Sequence, residues 1–417
     1  MSNTPSNYGY LLRKRFLRNK GAKWSVRALL FLFLIALFGD FLAGSLPIYC
    51  KINGQTYFPV FKNYAVDLGL AQWNPPFQNM DWRTVDYDQV VYPLIPYAAT
   101  TMDAKNRSFK SPFDKQDVAS TKFKHWLGTD GLGRDVAAAM IAGLRTALKV
   151  GLLSMLLASI IGLTLGGLAG YFGDDGLEIS LGRLLANMIA LIISLHFAFI
   201  ARTYALTEGV FMLEIAKSIG IVVFIFFIFH FFGKWIERLP FLSKVVAFPV
   251  DIVVMRVVEV MSSIPGLLLI LAIAMIVPTP SIFTIILIIG VISWTNITRF
   301  VRAELLKIRN LEYIQAAKAM GFSHGRTLLR HALPNAIGPV LITIAFGIAG
   351  AILTEATLSF LGIGMGTDVT WGSLLRNARQ ERSAWWLAVF PGLAIFGLVL
   401  IFNLIGEGLK EAIDSRE

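Results

Sequence analysis

Residue types that do chemistry are few in this chain, and they do not gather. Its five histidines, His125, His196, His230, His324 and His331, are scattered, and Cys50 is the only cysteine. Neither an intrachain disulfide nor a cysteine-rich metal site is possible. The sequence contains no phosphate-binding glycine loop, paired-histidine metal motif or nucleophile elbow. What it offers instead is charge set inside apolar sequence. Arg256 and Glu259 stand three apart on one helical face, and Glu355 and Asn403 lie in long apolar runs. A charged side chain at a bilayer centre costs about 2.5–3.5 kcal/mol on insertion scales, so such groups face a partner or a water-filled path. Glu259 and Glu355 are therefore candidates for such a path, with helix packing an equal reading. No residue is assigned as catalytic or as a metal ligand.

A second pattern points to a surface for another protein. It reads Glu312-Tyr-Ile-Gln-Ala-Ala-Lys-Ala-Met-Gly-Phe-Ser-His-Gly-Arg-Thr-Leu-Leu-Arg-His-Ala-Leu-Pro334. The first half consists of good helix formers, and Gly321 stands where a left-handed cap ends a helix. Ser323 suits the N-cap of a second short helix, and Pro334 is expected to mark its end. The Ala316-Ala317 pair gives the first helix a smooth strip on which a partner surface packs closely.

The elements that must position these residues follow from composition. The 417 residues are 55% hydrophobic and only 16% charged, with a mean hydropathy of +0.64, against about 25% charged in soluble domains. A helix needs about 20 mostly apolar residues to cross a bilayer, and eight segments qualify: 26–46, 147–170, 182–202, 216–233, 252–277, 281–298, 336–358 and 385–405. Pro265 and Pro391 fall inside such segments and are expected to kink them. The net charge of +11 could suggest nucleic acid, but the basic residues sit beside apolar segments, which favours membrane orientation and argues against nucleic acid.

Orientation follows from those basic flanks. Arg13, Lys14, Arg15, Arg18, Lys20 and Lys23 precede the first segment, which is too long for a signal-peptide core and reads as an uncleaved anchor. They place the N-terminus in the cytoplasm, and the basic stretch 299–334 belongs there too. The C-terminus then also lies inside. Two groups disagree with the rule: Arg145 with Lys149, and Arg376 with Arg379 and Arg382, fall on the expected outer side.

The domain plan is a cytoplasmic segment 1–25, a first crossing 26–46, an outer loop or cap 47–135, a second crossing with its elbow 136–176, an inserted transmembrane hairpin 177–250, and a core 251–417. Thr129–Asp135 reads as a structural elbow, with Asp130-Gly131 as a turn. Gly162, Gly166, Gly167 and Gly170 read as a close helix-packing face, within the chain or toward a partner.

Gln315-Ala316-Ala317, Gly321 and Leu333-Pro334 resemble the EAA loop of the membrane subunits of binding-protein-dependent ABC importers. That family usually has Glu where Gln315 stands and Ile where His331 stands. Leu127-Gly-Thr-Asp-Gly-Leu-Gly-Arg-Asp135, Gly143-Leu-Arg-Thr146 and Gly166-Gly-Leu-Ala-Gly-Tyr-Phe-Gly173 are similar to the C-type permeases of dipeptide, oligopeptide and nickel transporters. So are Arg299-Phe-Val-Arg-Ala-Glu304, Thr354-Glu-Ala-Thr-Leu-Ser-Phe-Leu-Gly362, Trp371-Gly372 and Phe390-Pro-Gly-Leu-Ala-Ile395. The resemblance covers 125–175 and 251–415; the roughly 70 residues between are an insertion that turns six crossings into eight.

This resemblance implies an all-α polytopic transmembrane bundle of the type I importer permease fold, multi-pass in the inner membrane and without catalysis of its own. It implies that Gln315, Ala316, Ala317, Gly321, Phe322, Ser323 and Pro334 couple the chain to a cytoplasmic ATPase. No cofactor belongs to this chain; ATP and magnesium belong to the ATPase. Expected partners are a related second permease, two ATPase subunits, an extracytoplasmic solute-binding protein and membrane lipid. Short peptides are the expected cargo, with nickel chelates the runner-up. An exporter of the same fold and a non-transporting scaffold are the rival readings.

Overall fold

The computed structural model describes residues 7–77, 80–208, 211–277, 281–363 and 369–413. Residues 1–6 of the expected N-terminal segment, 209–210 of the inserted hairpin and 414–417 of the core lie outside them. In chain order the helices are α1 (Asn7–Phe16), α2 (Lys20–Leu37), α3 (Gly39–Leu42), α4 (Pro59–Asp67), α5 (Val136–Phe172), α6 (Leu181–Leu195), α7 (Thr203–Glu208) and α8 (Phe211–Ile236). They continue with α9 (Val250–Ser263), α10 (Gly266–Ile276), α11 (Ile282–Ile308), α12 (Glu312–Ala319), α13 (His324–Thr327), α14 (Leu333–Leu361), α15 (Trp371–Gln380) and α16 (Trp386–Ile413). The strands are short: β1 (Tyr49–Ile52), β2 (Gln55–Tyr57), β3 (Gln89–Val91), β4 (Glu178–Ser180) and β5 (Val245–Ala247).

The expected all-α polytopic bundle is what forms. Among the described residues six helical runs are long and apolar enough to cross a membrane: Val136–Phe172, Leu181–Ile200, Leu213–Ile236, Ile282–Ile308, His324–Leu361 and Trp386–Ile413. Two of the eight expected crossings are not single helices. The segment 252–277 is α9 and α10, bent by 81°. Pro265 has no N–H to give the helix and forces Ile264 into extended backbone, φ −98° and ψ 130°. The segment 26–46 is divided between α2 and α3 at Phe38. Pro391, by contrast, lies inside an unbroken α16.

Arg145 explains the first break. Its guanidinium donates to the carbonyls of Ala36 and Leu37 and to both oxygens of Asp40, at 2.7 and 2.8 Å. A cation thereby satisfies the open carbonyls at the C-terminus of α2, where the helix dipole favours it. Neutralised by Asp40, Arg145 is no longer a free charge for the orientation rule to count.

The chain divides into two compact units, Met1–Leu153 with Ala345–Glu417, and Ser154–Ile344, so that α5 and α14 each contribute to both. In the first unit α2 packs on α16 closely enough that a Cβ on Gly408 would stand 2.3 Å from that of Ala22. Asn19 caps α2 through Oδ1 and donates from Nδ2 to Glu411 at 2.6 Å. The 47–135 loop folds as a cap around an antiparallel sheet of order β2-β1-β3.

In the second unit α5 and α11 meet through glycine. A Cβ on Gly162, Gly166 or Gly170 would come within 2.7 Å of Ile297, Thr298 or Arg302, whereas Gly167 faces open space. The insertion is a hairpin of α6 on α8 whose base is closed by the β4–β5 ladder. Ser180 caps α6 and donates to Glu237 at 2.8 Å, and Arg183 pairs with the same carboxylate at 2.6 Å. Because Phe248 N–H reaches Leu177 O at 2.7 Å and Asp251 N–H reaches Gly173 O at 3.2 Å, the chain leaves and rejoins at one point. The hairpin is thus added without separating α5 from α9.

Candidate functional site

The 312–334 segment begins with α12, whose end is built by Gly321. Its φ of +78° is the left-handed conformation that only glycine adopts without strain. Phe322 N–H then bonds to Ala317 O at 3.1 Å, and Gly321 N–H to Lys318 O at 2.9 Å, which together form a Schellman cap. Ser323 Oγ accepts the Arg326 N–H at 3.4 Å and starts α13, as expected of an N-cap.

The second helix does not stop at Pro334. It runs as one continuous helix over His324–Leu361, and Leu328–Ala332 within it is a π turn. A proline needs relief from the carbonyl four residues back, and the wider turn just before Pro334 supplies it. The segment is therefore one short helix joined by a glycine bend to the start of a membrane-spanning one.

The structure separates the alanine pair. Ala317 is buried beside Ile314, while Ala316 and Gln315 are exposed, with Met320 and Tyr313 on the same outer surface. Gln315 Nε2 donates to Arg309 O at 3.1 Å. Phe322 is held between His331, stacked at 5.8 Å, and Arg326, 4.6 Å from the ring centre. His331, at a position where the resemblance expects Ile, thus serves as a stacking partner.

The sequence reading missed what grips this segment from behind. His324 lies against Phe172 at 5.6 Å between ring centres, and its Nδ1 is 3.5 Å from the Tyr171 hydroxyl. Lys318 stands 5.4 Å from the Tyr171 ring. The signal was present in the Tyr171-Phe172-Gly173 motif at the end of α5.

The other candidates lie apart. Glu259 pairs with Arg256 at 2.8 Å on an exposed face of α9. Glu355 is buried, with its Oε1 accepting from Ser359 at 2.8 Å, so it faces packed neighbours.

The elbow is a knot of satisfied polar groups. His125 is fully buried, its Nδ1 2.8 Å from Asp135 and its Nε2 3.3 Å from Asp103. Asp135 also accepts the Ala138 N–H at 2.7 Å and starts α5, and Trp386 Nε1 donates to Thr129 O at 3.1 Å. Burial pushes the Asp103 carboxyl up, but hydrogen bonds from Asn106, the Lys105 N–H and His125 outweigh it and hold it below the ordinary carboxylate value. Burial raises the Tyr97 hydroxyl, and the charges of Asp103 and Asp135 add to the shift.

The family of binding-protein-dependent transport system inner membrane components matches residues 239–417, and the N-terminal transmembrane domain of oligopeptide transport permease C matches residues 7–64. A dipeptide transport system permease protein of Alkalihalophilus pseudofirmus is 30% identical, over 78% of this chain and 82% of that protein. The chain belongs to the C-type oligopeptide permease family. It is also 28% identical to a peptidoglycan transport system permease protein of Agrobacterium fabrum, over 97% of this chain and 92% of that one. An inner membrane ABC transporter permease protein of Escherichia coli is likewise 28% identical, over 97% of this chain and 96% of that protein. Neither family match includes α6 or α8, the inserted hairpin. A C-type permease is a multi-pass inner-membrane component of an ABC transporter and not its catalyst, and its family works with an ATPase and a solute-binding protein.

Proposed function

We propose that this C-type permease is one half of a heterodimeric pore that imports short peptides across the cytoplasmic membrane, driven by two ATPase subunits that dock on residues 312–334. The single observation that carries the reading is the build of that segment. Gln315 and Ala316 stand exposed on a short helix, and the Gly321 bend joins this helix to a stiff helical run ending at Leu361. A push on α12 is therefore delivered to a membrane-spanning helix, the requirement for alternating access. The peptide cargo is supported by relatives named for dipeptide, glutathione and peptidoglycan transport. ATP and magnesium act in the partner ATPases, and both termini of this chain face the cytoplasm.

Replacement of Gly321 tests the reading. Proline locks φ near −65° and is incompatible with +78°. Gly321→Pro in the full importer leaves membrane insertion intact, keeps basal ATP hydrolysis and abolishes peptide uptake in proteoliposomes. Wild-type uptake by this variant refutes the coupling role.

A further inference from the structure

Arg379, at the mouth of an apolar groove, is a cation with no counter-charge among the described residues. The groove is bounded by α14, α15 and α16, has a volume of about 590 Å3, and is walled by Leu353, Phe360, Leu375, Ala388 and Ile395. That volume lies within the range of small-molecule sites, about 300–1,000 Å3. Small residues, Ala356 and Gly392, keep it open, and among the described residues Arg379 is the only charged side chain that lines it. Its guanidinium sits 5.4 Å from the centre of the Phe360 ring and has no ion pair with any described residue. Of the nearby acids, Glu355 on α14 is buried and accepts from Ser359, and Glu381 at the end of α15 accepts from Ser383.

We infer that this groove is a peptide subsite in which Arg379 holds the terminal carboxylate while an apolar peptide side chain lies against Leu353, Phe360 and Ile395. The inference rests on the import reading above and adds how the cargo is recognised, through its free C-terminal carboxylate. A guanidinium beside apolar walls calls for an anion, and a planar carboxylate matches its paired donors. A peptide with uncharged side chains carries one carboxylate, at its C-terminus. Arg376, on the same helix, and Arg382, just beyond it, add positive field at this end. The arginines that ran against the orientation rule thereby acquire a use.

The test compares uptake of an apolar tripeptide as the free acid and as the C-terminal amide, by the complete importer in proteoliposomes with its binding protein. The wild type is expected to favour the acid. Arg379→Gln lowers acid uptake about tenfold, as loss of a charge-assisted hydrogen bond should, and leaves amide uptake unchanged. Arg379→Lys retains the preference. An unchanged preference in Arg379→Gln overturns the inference, as does an equal fall of acid and amide in both variants. Loss of co-purifying phosphatidylglycerol from Arg379→Gln with the preference intact also overturns it, because the groove then holds lipid. If the wild type takes up neither peptide, it is the import reading itself that fails.

Discussion

Asp103 illustrates how a single side chain holds the cap together. Its carboxylate accepts from the Asn106 amide at 2.8 Å and the Lys105 N–H at 3.0 Å, and faces His125. A carboxyl held below its ordinary value of 3.8 contributes stability that is fully present above that value and lost as pH falls through the folded value. In an acid titration followed by tryptophan fluorescence, the wild-type cap should lose stability below pH 3.8, and Asp103→Asn should flatten the curve in that window. An unchanged acid limb in the variant contradicts the assignment. The cap glycine Gly133 belongs to the same knot: at a φ of +82°, its Cβ position lies 2.2 Å from Asp103 O, so no side chain fits there. The sequence reading recognised Gly321 and Ser323 because caps are written in local residue types. It could not find the His125–Asp103–Asp135 cluster, whose members lie up to 32 positions apart and meet only in the folded cap.

At the scale of elements, the α5–α11 contact turns a glycine pattern into an energetic statement. A methyl group on Gly166 would come 2.7 Å from the backbone oxygen of Thr298, which cannot swing away, whereas one on Gly167 meets nothing within 4 Å. Gly166→Ala should therefore destabilise the chain by about 1–3 kcal/mol, read as a lower midpoint of thermal unfolding in detergent. Gly167→Ala should be neutral, and equal midpoints for the two variants would refute the packing face. This spacing was readable because helical periodicity carries it. Other element boundaries were not. Proline alone did not reveal that Pro265 separates two helices at 81° while Pro391 stays inside one and Pro334 follows a π turn. Whether a proline bends or breaks a helix depends on what its neighbours do with the freed carbonyl. The break at Phe38 depends on Arg145, more than 100 positions away.

For the whole molecule, the account holds that force applied to a short cytoplasmic helix moves a lipid-embedded bundle. Composition and hydropathy sufficed for the bundle, and the motifs carried the family. The division of labour between Ala316 and Ala317 needed coordinates, since both have the same side chain and only packing distinguishes them. The most direct test uses that difference. Cys50 is fully buried and Ala317 is buried, whereas Ala316 is exposed, so a cysteine introduced at 316 is the only accessible thiol on the folded chain. In the assembled transporter, Ala316→Cys should cross-link to the ATPase subunit through a short bifunctional reagent, and Ala317→Cys should not. No ATPase adduct from position 316, or labelling of that thiol by a membrane-impermeant reagent added from outside intact cells, contradicts the account.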